Sequence, residues 1–279
     1  MHRGSSAALA LLALTGIARA QSVMLDPGRL TIFTVPPPIE QDDVVFKVRK
    51  AYGGRVYTYV ELGIENWRRD PLVFYRHEPV FVYPYTSLSP YDGLNEKRPM
   101  VVAPRDSKFI VLGVEGADGL NATSFEIDWN GLYAATGPAK PIDAPNMRVD
   151  AENSTFHAGP LHCWRGKFKQ MGREVSVIFR CRYRGEGFGY VDSARVRLRQ
   201  EGHRAMRNRE KKDTLTVARN DEIMRFDMSF RLPESMQDME LYPATLEWNG
   251  AFAELGLEPI ELPTVRLDVD AEATQEANP

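Results

Sequence analysis

The 279-residue sequence lacks the short motifs that mark the common catalytic and cofactor sites. It has no nucleophile-elbow serine, no phosphate-cradling glycine loop and no dinucleotide fingerprint. Its five histidines are scattered without the spacing of metal ligands. We therefore expect a non-catalytic protein with no metal and no cofactor. A catalytic triad brought together from distant strands stays open, because triads are defined by geometry and not by sequence order.

Long apolar segments are lacking beyond the first twenty residues. Residues 7–17 are apolar, and Ala18-Arg19-Ala20 then places small side chains at the two positions that a signal peptidase reads. The apolar run is too short to cross a bilayer as a helix. We expect residues 1–20 to be a cleaved signal peptide. The mature protein should then be exported, either periplasmic or secreted, without a membrane span.

Cysteine is scarce, since Cys163 and Cys181 are the only two. A hairpin folded about Gly172 places them opposite each other, with Cα atoms about 4.5 Å apart, a separation that a disulfide can close. In an exported chain we expect a structural disulfide here. Two buried free thiols are the alternative. A zinc site with the nearby His157 and His162 lacks an evident fourth ligand.

The sequence repeats itself at long range. Residues 127–134 recur as residues 246–253 at an offset of 119, and the same offset aligns residues 56–64 with 175–183. One ungapped register over such distances indicates a duplicated unit, and the period suits a small sandwich domain. The predicted boundaries are a signal peptide at 1–20, domains at 21–150 and 151–270, and a disordered acidic tail at 271–279.

Both predicted domains have the pattern of all-β structure. Apolar and polar residues alternate along 56–64 and 175–183, which is the period of a strand with one face on a core. Asn130-Gly131 and Asn249-Gly250 predict tight two-residue hairpins. Short strands and frequent turns favour tandem duplicated immunoglobulin-like β-sandwiches, with a closed barrel as the alternative. In architecture the chain resembles the tandem immunoglobulin-like modules of exported bacterial proteins.

A strong overall charge is also lacking, since the formal net charge is −3, which argues against bulk nucleic-acid binding. The charge is separated along the second repeat, with fifteen Lys and Arg against five Asp and Glu in 162–212, and four against fifteen in 213–279. This predicts an electropositive surface for an anionic partner, unless the arginines pair with the acidic half. The candidate surface residues are Arg180, Arg182, Arg184, Arg195, Arg197, Arg199, Arg204, Arg207, Arg209, Lys211 and Lys212.

A second candidate surface is the tyrosine- and proline-rich segment that holds Tyr83, Tyr85 and Tyr91. Tyrosines on a stiff loop provide contact area at low entropic cost, although packing onto their own domain is the alternative. Trp129 and Trp248 recur beside the two Asn-Gly pairs. Their repeated position favours a structural role over the stacking of sugars.

These observations favour an exported, non-catalytic binding or structural protein. Its partner would be an envelope or extracellular component, either a protein or an anionic molecule, recognised through loops and the basic surface of the second domain. A glycan-binding module with aromatic platforms is the first alternative, and it requires Trp or Tyr side chains aligned on an open face. A hydrolase with a site between the domains is the second alternative.

Overall fold

The computed structural model describes residues 30–90, 99–116, 120, 122–149, 154–200, 202–211, 214–234 and 244–278. Over these ranges the protein is all-β, as predicted, with open antiparallel sheets that pack face to face. The predicted signal peptide lies outside the described residues. No helix in the described part of the chain is long and apolar enough to cross a membrane.

The described strands fall into two successive series. The first series is β1 (Thr31–Ile32), β2 (Ile39–Gln41), β3 (Val44–Gly53), β4 (Tyr57–Asn66), β5 (Leu72–Phe74), β6 (Val80–Tyr83), β7 (Thr86–Leu88), β8 (Met100–Val102), β9 (Asp106–Glu115), β10 (Ser124–Asp128), β11 (Leu132–Ala135), β12 (Lys140–Ile142) and β13 (Met147–Arg148). The second series is β14 (Thr155–Ala158), β15 (Leu161–Met171), β16 (Glu174–Tyr183), β17 (Phe188–Asp192), β18 (Arg197–Gln200), β19 (Met206–Arg207), β20 (Leu215–Ala218), β21 (Ile223–Arg231), β22 (Ala244–Glu247), β23 (Phe252–Leu255), β24 (Leu257–Pro259) and β25 (Val265–Asp268). A 3-10 turn at Ser193–Arg195 precedes β18, and helix α1 (Ala271–Glu276) follows β25.

Residues 30–135, which we call the first half, build most of three sheets. Sheet 1 has the order β1-β3-β4-β9, with β2 also paired to β3. Sheet 2 has the order β25-β10-β6-β7, and sheet 3 has the order β24-β11-β5-β8. Sheets 2 and 3 form one interrupted layer, because each strand of one continues along the chain into a strand of the other. This layer and sheet 1 enclose the first core.

Residues 155–255, the second half, show the same strand order. Sheet 4 has the order β12-β23-β17-β20, sheet 5 the order β13-β22-β18-β19, and sheet 6 the order β14-β15-β16-β21. Sheets 4 and 5 again form one interrupted layer opposite sheet 6, and the two layers enclose the second core. The alternating residues predicted on β16 point their apolar members into that core.

The two Asn-Gly pairs interrupt a strand instead of reversing the chain. β10 and β11 flank Asn130-Gly131 but belong to different sheets, as do β22 and β23 around Asn249-Gly250. The predicted two-residue hairpins are therefore wrong. Gly131 has a φ of 88°, and a side chain there would lie 2.7 Å from the carbonyl oxygen of Tyr75. Glycine at this position allows the layer to bend where two strand segments meet.

The last strands of each interrupted layer come from the other part of the chain. β24 and β25, near the C terminus, pair with β11 and β10 of the first half. β12 and β13, which connect the halves, pair with β23 and β22 of the second half. The halves therefore exchange their closing strands, and Leu267 of β25 is buried in the first core.

A third core lies between the halves, where the outer faces of sheets 3 and 4 pack together. Its buried members are Val73, Tyr75, Val101, Val217 and Leu255. β5 and β8 are thus covered on both faces, which explains why all of their residues are apolar and buried. The halves are held together by this core as well as by strand exchange.

Cys163 and Cys181 form the predicted disulfide. They lie directly opposite each other on β15 and β16, with Cα atoms 4.0 Å apart, and both are buried in the second core. The predicted turn at Gly172 separates the two strands, with a φ of 55°. In the first half, Val48 and Leu62 face each other on the corresponding strands β3 and β4.

Residues 271–276, predicted to be disordered, instead form helix α1. The Asp270 carboxylate caps this helix by accepting a hydrogen bond of 3.0 Å from the Ala273 amide. The side chain of Asn278 accepts from the Leu30 amide at 2.9 Å and donates to the Leu30 carbonyl at 2.7 Å. The prediction from acidic composition is wrong because these bonds hold the tail against the start of β1.

Candidate functional site on the outer face of sheet 6

The predicted basic residues lie on two opposite faces of the second half. Arg180 and Arg182 are on β16 of sheet 6, whereas Arg197 and Arg199 are on β18 of sheet 5. The apolar residues that alternate with these arginines point into the same core from its two sides. Because side chains alternate along a strand, the two pairs of arginines point away from each other.

Several of the predicted basic residues have partners within the second half. The carboxylate pairs are Arg184 with Asp221, Arg195 with Asp192, Arg199 with Glu247, and Arg209 with Glu174. Arg197 donates instead to the backbone carbonyls of Ala194 and Val196. The pairs of Arg195 and Arg199 compensate charge on the sheet 5 side, whereas those of Arg184 and Arg209 lie at sheet 6.

Sheet 6 gathers a compact group that we call the basic face. Its members are His157, His162, Trp164, Arg180, Arg182 and Arg225. The strand register places them in two adjacent rows across the sheet, one through Arg182 and one through Arg180. Neighbouring strands are about 4.8 Å apart, so the four-stranded face is about 14 Å wide.

The basic face carries positive charge that the fold does not compensate. Arg180 and Arg182 have no carboxylate partner among the described residues. The Nε of Arg182 is buried and has no hydrogen-bond partner in the described part of the chain. The third arginine of the face, Arg225, is compensated by Asp227, and Glu174 on the same side of the sheet pairs with Arg209 and Arg231.

Aromatic rings border these two arginines. The imidazole rings of His157 and His162 stack with centroids 4.6 Å apart, and the ring of Trp164 lies 5.8 Å from that of His162. Trp164 is directly opposite Arg180 in the strand register. Ring faces beside guanidinium groups can contact an apolar surface and an acidic group of one ligand at the same time.

The basic loop predicted after β18 is divided among three places. Arg209 lies at the edge of sheet 6, where its amide donates to the Ser229 carbonyl and its guanidinium pairs with Glu174. Arg204 and Arg207 are exposed on the sheet 5 side, where Arg207 of β19 lies opposite Arg197. Lys211 instead lines a cleft between the two halves. Lys212 lies outside the described residues.

The three tyrosines of the predicted recognition loop do not share one exposed surface. Tyr83 is buried and stacks on Phe125 with ring centroids 5.3 Å apart, and burial raises the pKa of Tyr83 to about 12. Tyr85 is 95% exposed, and Tyr91 lies outside the described residues. Tyr83 therefore belongs to the first core, whereas Tyr85 is available for contact.

Trp129 and Trp248 are buried in the first and second cores, with 3% and 2% of their surfaces exposed. The Trp248 indole donates a hydrogen bond of 2.9 Å to the carbonyl of Pro145. Neither ring presents an open face to solvent, so these two tryptophans cannot stack on a sugar. Their repeated place in the sequence reflects packing.

Sequence reasoning missed three tyrosines on the outer face of sheet 1, which we call the tyrosine platform. The ring of Tyr59 lies 5.8 Å from that of Tyr52 and 5.4 Å from that of Tyr57. The Tyr59 ring covers Gly113, where an added Cβ atom would lie 2.5 Å from the ring. Its hydroxyl donates to Glu115 at 3.0 Å, and this hydrogen bond raises the pKa of Tyr59. The period-two spacing of Tyr57 and Tyr59 was the available signal.

A cleft of about 680 Å³, the inter-half cleft, opens between the two halves. Its charged lining consists of Arg76, Asp106 and Lys108 from the first half and Lys211 and Arg225 from the second. Cationic side chains therefore outnumber carboxylates four to one. Arg225 also belongs to the basic face, so the two positive regions adjoin.

A polar cluster lies at the third core. Arg219 forms an ion pair with Glu78, and its Cζ lies 3.6 Å from the ring centroid of Tyr75 and 4.8 Å from that of Tyr133. The Tyr133 hydroxyl also donates to Glu78, at 3.0 Å. Burial is the largest single influence and opposes the charge of Arg219, but the hydrogen bond to Glu78 and the electrostatic interactions with Tyr75, Glu78 and Tyr133 together outweigh it and raise the Arg219 pKa. Glu78 thus supplies the counter-charge inside the interface, although the Nη2 of Arg219 is buried without a hydrogen-bond partner among the described residues.

The described residues hold no group of three or more His, Cys, Asp or Glu side chains that could bind a metal ion. A scan against protein-family models and a search of curated proteins found no match to this chain. A function must therefore follow from the chemistry of particular sites and not from the fold, since one fold serves many functions.

Proposed function

We propose that this protein is an exported, non-catalytic binding protein that holds an anionic polysaccharide of the envelope or extracellular space on the basic face. The proposal depends chiefly on Arg180 and Arg182, which have no carboxylate partner among the described residues. Uncompensated positive charge attracts anionic ligands from a distance. Guanidinium groups also bind sulfate, phosphate and carboxylate groups in a fixed two-point geometry.

The composition of the basic face favours a polysaccharide over a folded acidic protein. Trp164 and the stacked pair His157 and His162 offer ring faces for sugar rings directly beside the guanidinium groups. The centre of the face is charged, whereas the centres of protein–protein interfaces are depleted in charged residues. An extended chain about 14 Å across would contact both rows of the face.

Binding to dextran sulfate tests this proposal, with uncharged dextran as the reference polymer. Arg180→Glu combined with Arg182→Glu should weaken binding by about tenfold or more, because a charge-assisted contact contributes about 1.5–3 kcal/mol. The matched control reverses the charges of Arg204 and Arg207 on the sheet 5 side. Both arginines are exposed, and neither has a carboxylate partner in the described ranges. Equal losses in the two variants would overturn the assignment to sheet 6. Binding to anionic vesicles without binding to dextran sulfate would overturn the choice of ligand.

We also propose that the mature protein begins near Gln21 and that its two halves arose by duplication. The disulfide between Cys163 and Cys181 supports an oxidising compartment. The common strand order of the halves and the constant offset of 119 support a shared origin. N-terminal sequencing of the protein purified from its native host tests the export step, and an intact N terminus would contradict it.

A neutral glycan on the tyrosine platform is the second candidate. Three adjacent tyrosine rings on an open sheet face satisfy the requirement for aligned aromatic side chains. Tyr57→Ala with Tyr59→Ala should then abolish binding to neutral oligosaccharides while leaving dextran sulfate binding intact. If none of a panel of neutral oligosaccharides binds the unmodified protein, this candidate fails.

A further inference from the structure

We infer that the inter-half cleft is a second binding site, for a compact organic ligand that carries at least two anionic groups beside an apolar body. The cleft volume of about 680 Å³ lies within the range of small-molecule sites. Such sites often occur where two structural units meet, because residues of both units can converge on one ligand. The cleft is separate from the polysaccharide surface proposed for the basic face, although the two adjoin at Arg225.

Arg76, on the first-half wall, has a charge that the protein leaves unmatched. Its side chain is half-buried, and no carboxylate pairs with it within the described ranges. Its Nε is buried and, in the same ranges, has no hydrogen-bond partner. A buried donor without an acceptor is unfavourable, and more so when it is charged. Arg219, also between the halves, has a buried Nη2 without a partner as well, but its charge is balanced by the carboxylate of Glu78. An anion bound in the cleft would supply the acceptor that Arg76 lacks.

Lys211, on the second-half wall, is likewise unmatched. Its side chain is exposed, and among the described residues no carboxylate pairs with it. Lys108 and Arg225 also line the cleft, but Arg225 is already paired with the carboxylate of Asp227. A ligand with one negative charge would match only one of Arg76 and Lys211, which lie on opposite walls. The ligand therefore needs two or more anionic groups to match both walls.

The uncharged lining includes apolar side chains. Phe109 of β9 and Leu215 of β20 expose surface there, whereas Met100 and Val101 of β8 are buried in the first and third cores. Phe109 is 59% exposed, although its ring also lies 4.4 Å from the Arg49 guanidinium carbon. Covering such a ring is favourable for a ligand with an aromatic or aliphatic body. Simple inorganic anions would leave this surface in water.

A ligand that contacts both walls should also stabilise the folded protein. It binds residues that are brought together only when the two halves are packed, so binding and unfolding are linked. The melting temperature should therefore rise with ligand concentration. Any ligand specific for the folded state has this effect, so substitutions of cleft residues are needed to locate the site.

Naphthalene-1,3,6-trisulfonate is a suitable probe, because it combines three anionic groups with an apolar ring system. We expect one molecule to bind per chain and to raise the melting temperature. Arg76→Gln and Lys211→Gln should each weaken binding by about tenfold. Inorganic tripolyphosphate, with charge but no apolar body, should bind more weakly than the trisulfonate. Arg180→Gln with Arg182→Gln should leave trisulfonate binding unchanged while weakening dextran sulfate binding.

These results separate the cleft from the basic face, because each set of variants affects only one ligand. Lys211 is exposed, so its substitution should preserve the fold even if Arg76→Gln does not. The inference is overturned if the trisulfonate shows no saturable binding, or if Lys211→Gln binds it as tightly as the unmodified protein. If tripolyphosphate binds as tightly as the trisulfonate, the inference that the ligand has an apolar body is wrong.

Discussion

At the scale of single residues, the arginines divide according to whether the fold supplies them with a counter-charge. Arg219 has Glu78 and two tyrosine rings. Arg76, Arg180 and Arg182 have no carboxylate partner in the part of the chain that the structure describes. A partly buried cation without a counter-charge lowers the stability of the folded protein. Unfavourable arrangements of this kind are found mainly at functional sites. Arg219 therefore belongs to the architecture. Of the three that we propose as ligand contacts, Arg76 and Arg182 are partly buried and Arg180 is exposed.

Arg219→Met should lower the free energy of unfolding by about 2–3 kcal/mol. The substitution leaves the Glu78 carboxylate unpaired between the halves and removes the contact with the Tyr75 ring. Arg219→Lys should restore only part of this loss, because an ammonium group does not stack flat on a ring. Urea unfolding measures both variants.

The control for this prediction is Arg266→Met. Arg266 pairs with Asp268, and both side chains are 60% exposed. Exposed ion pairs contribute little, so the free energy of unfolding should change by less than about 0.5 kcal/mol. Similar losses for Arg219→Met and Arg266→Met would contradict a structural role for Arg219.

The sequence predicts some residue contacts and not others, depending on the sequence separation between partners. The bond between Cys163 and Cys181 follows from the local symmetry of one hairpin, so it was predictable. The pairing of Arg199 with Glu247 joins residues 48 positions apart on neighbouring strands. Its prediction requires knowledge of which strands are adjacent, and charge counts along the chain do not carry that information.

At the scale of elements, alternation predicts where long strands lie but not which strands they join. Strands were predicted at 56–64 and 175–183, and the structure has β4 at Tyr57–Asn66 and β16 at Glu174–Tyr183. The Asn-Gly pairs predicted hairpins, but the strand segments on either side of each pair enter different sheets. That choice depends on partners more than 100 residues away, such as β25 for β10.

The β15–β16 hairpin offers a matched test of the disulfide. Cys163→Val with Cys181→Leu reproduces the pair Val48 and Leu62 that faces across the corresponding strands of the first half. Apolar burial is retained, so the loss should reflect the missing cross-link and amount to about 3 kcal/mol.

Urea unfolding of this double variant, compared with the oxidised and the reduced forms of the unmodified protein, measures the effect. The variant and the reduced protein should unfold at similar urea concentrations, both lower than the oxidised protein. A variant as stable as the oxidised protein would show that the disulfide adds nothing to stability.

At the scale of the whole molecule, the halves depend on each other. β24 and β25 complete sheets 3 and 2 of the first half, and they bring Ile260 and Leu267 into the first core. Losing these two buried side chains alone should cost about 4–10 kcal/mol, comparable with the total stability of a protein domain. We therefore expect truncation after residue 255 to abolish cooperative folding of the first half.

Truncation after residue 270 is the control, because it removes α1 but keeps β24 and β25. This shorter deletion should lower the melting temperature only modestly, since α1 contributes no buried residue. Circular dichroism and thermal melting compare the two truncated chains. If the longer deletion melts at the same temperature as the full chain, strand exchange does not hold the halves together.

The same arrangement of sheets presents different chemistry on the outer faces of the two halves. Sheet 1 carries the tyrosine platform, whereas the equivalent sheet 6 carries the basic face. The cores impose apolar residues on one side of each strand and leave the other side free to differ. The sequence shows this divergence as a charge asymmetry, but only the folded structure shows which arginines remain without partners.

The salt dependence of dextran sulfate binding tests the basic face most directly, because each ion contact releases counterions from the polymer. For polyanions such as nucleic acids, each contact contributes about 0.7–0.9 to the slope of log K against log salt concentration. Arg180→Gln with Arg182→Gln should therefore reduce the slope by about 1.5, while Arg204→Gln with Arg207→Gln should leave it unchanged. The same slope in all three proteins would contradict binding at the basic face.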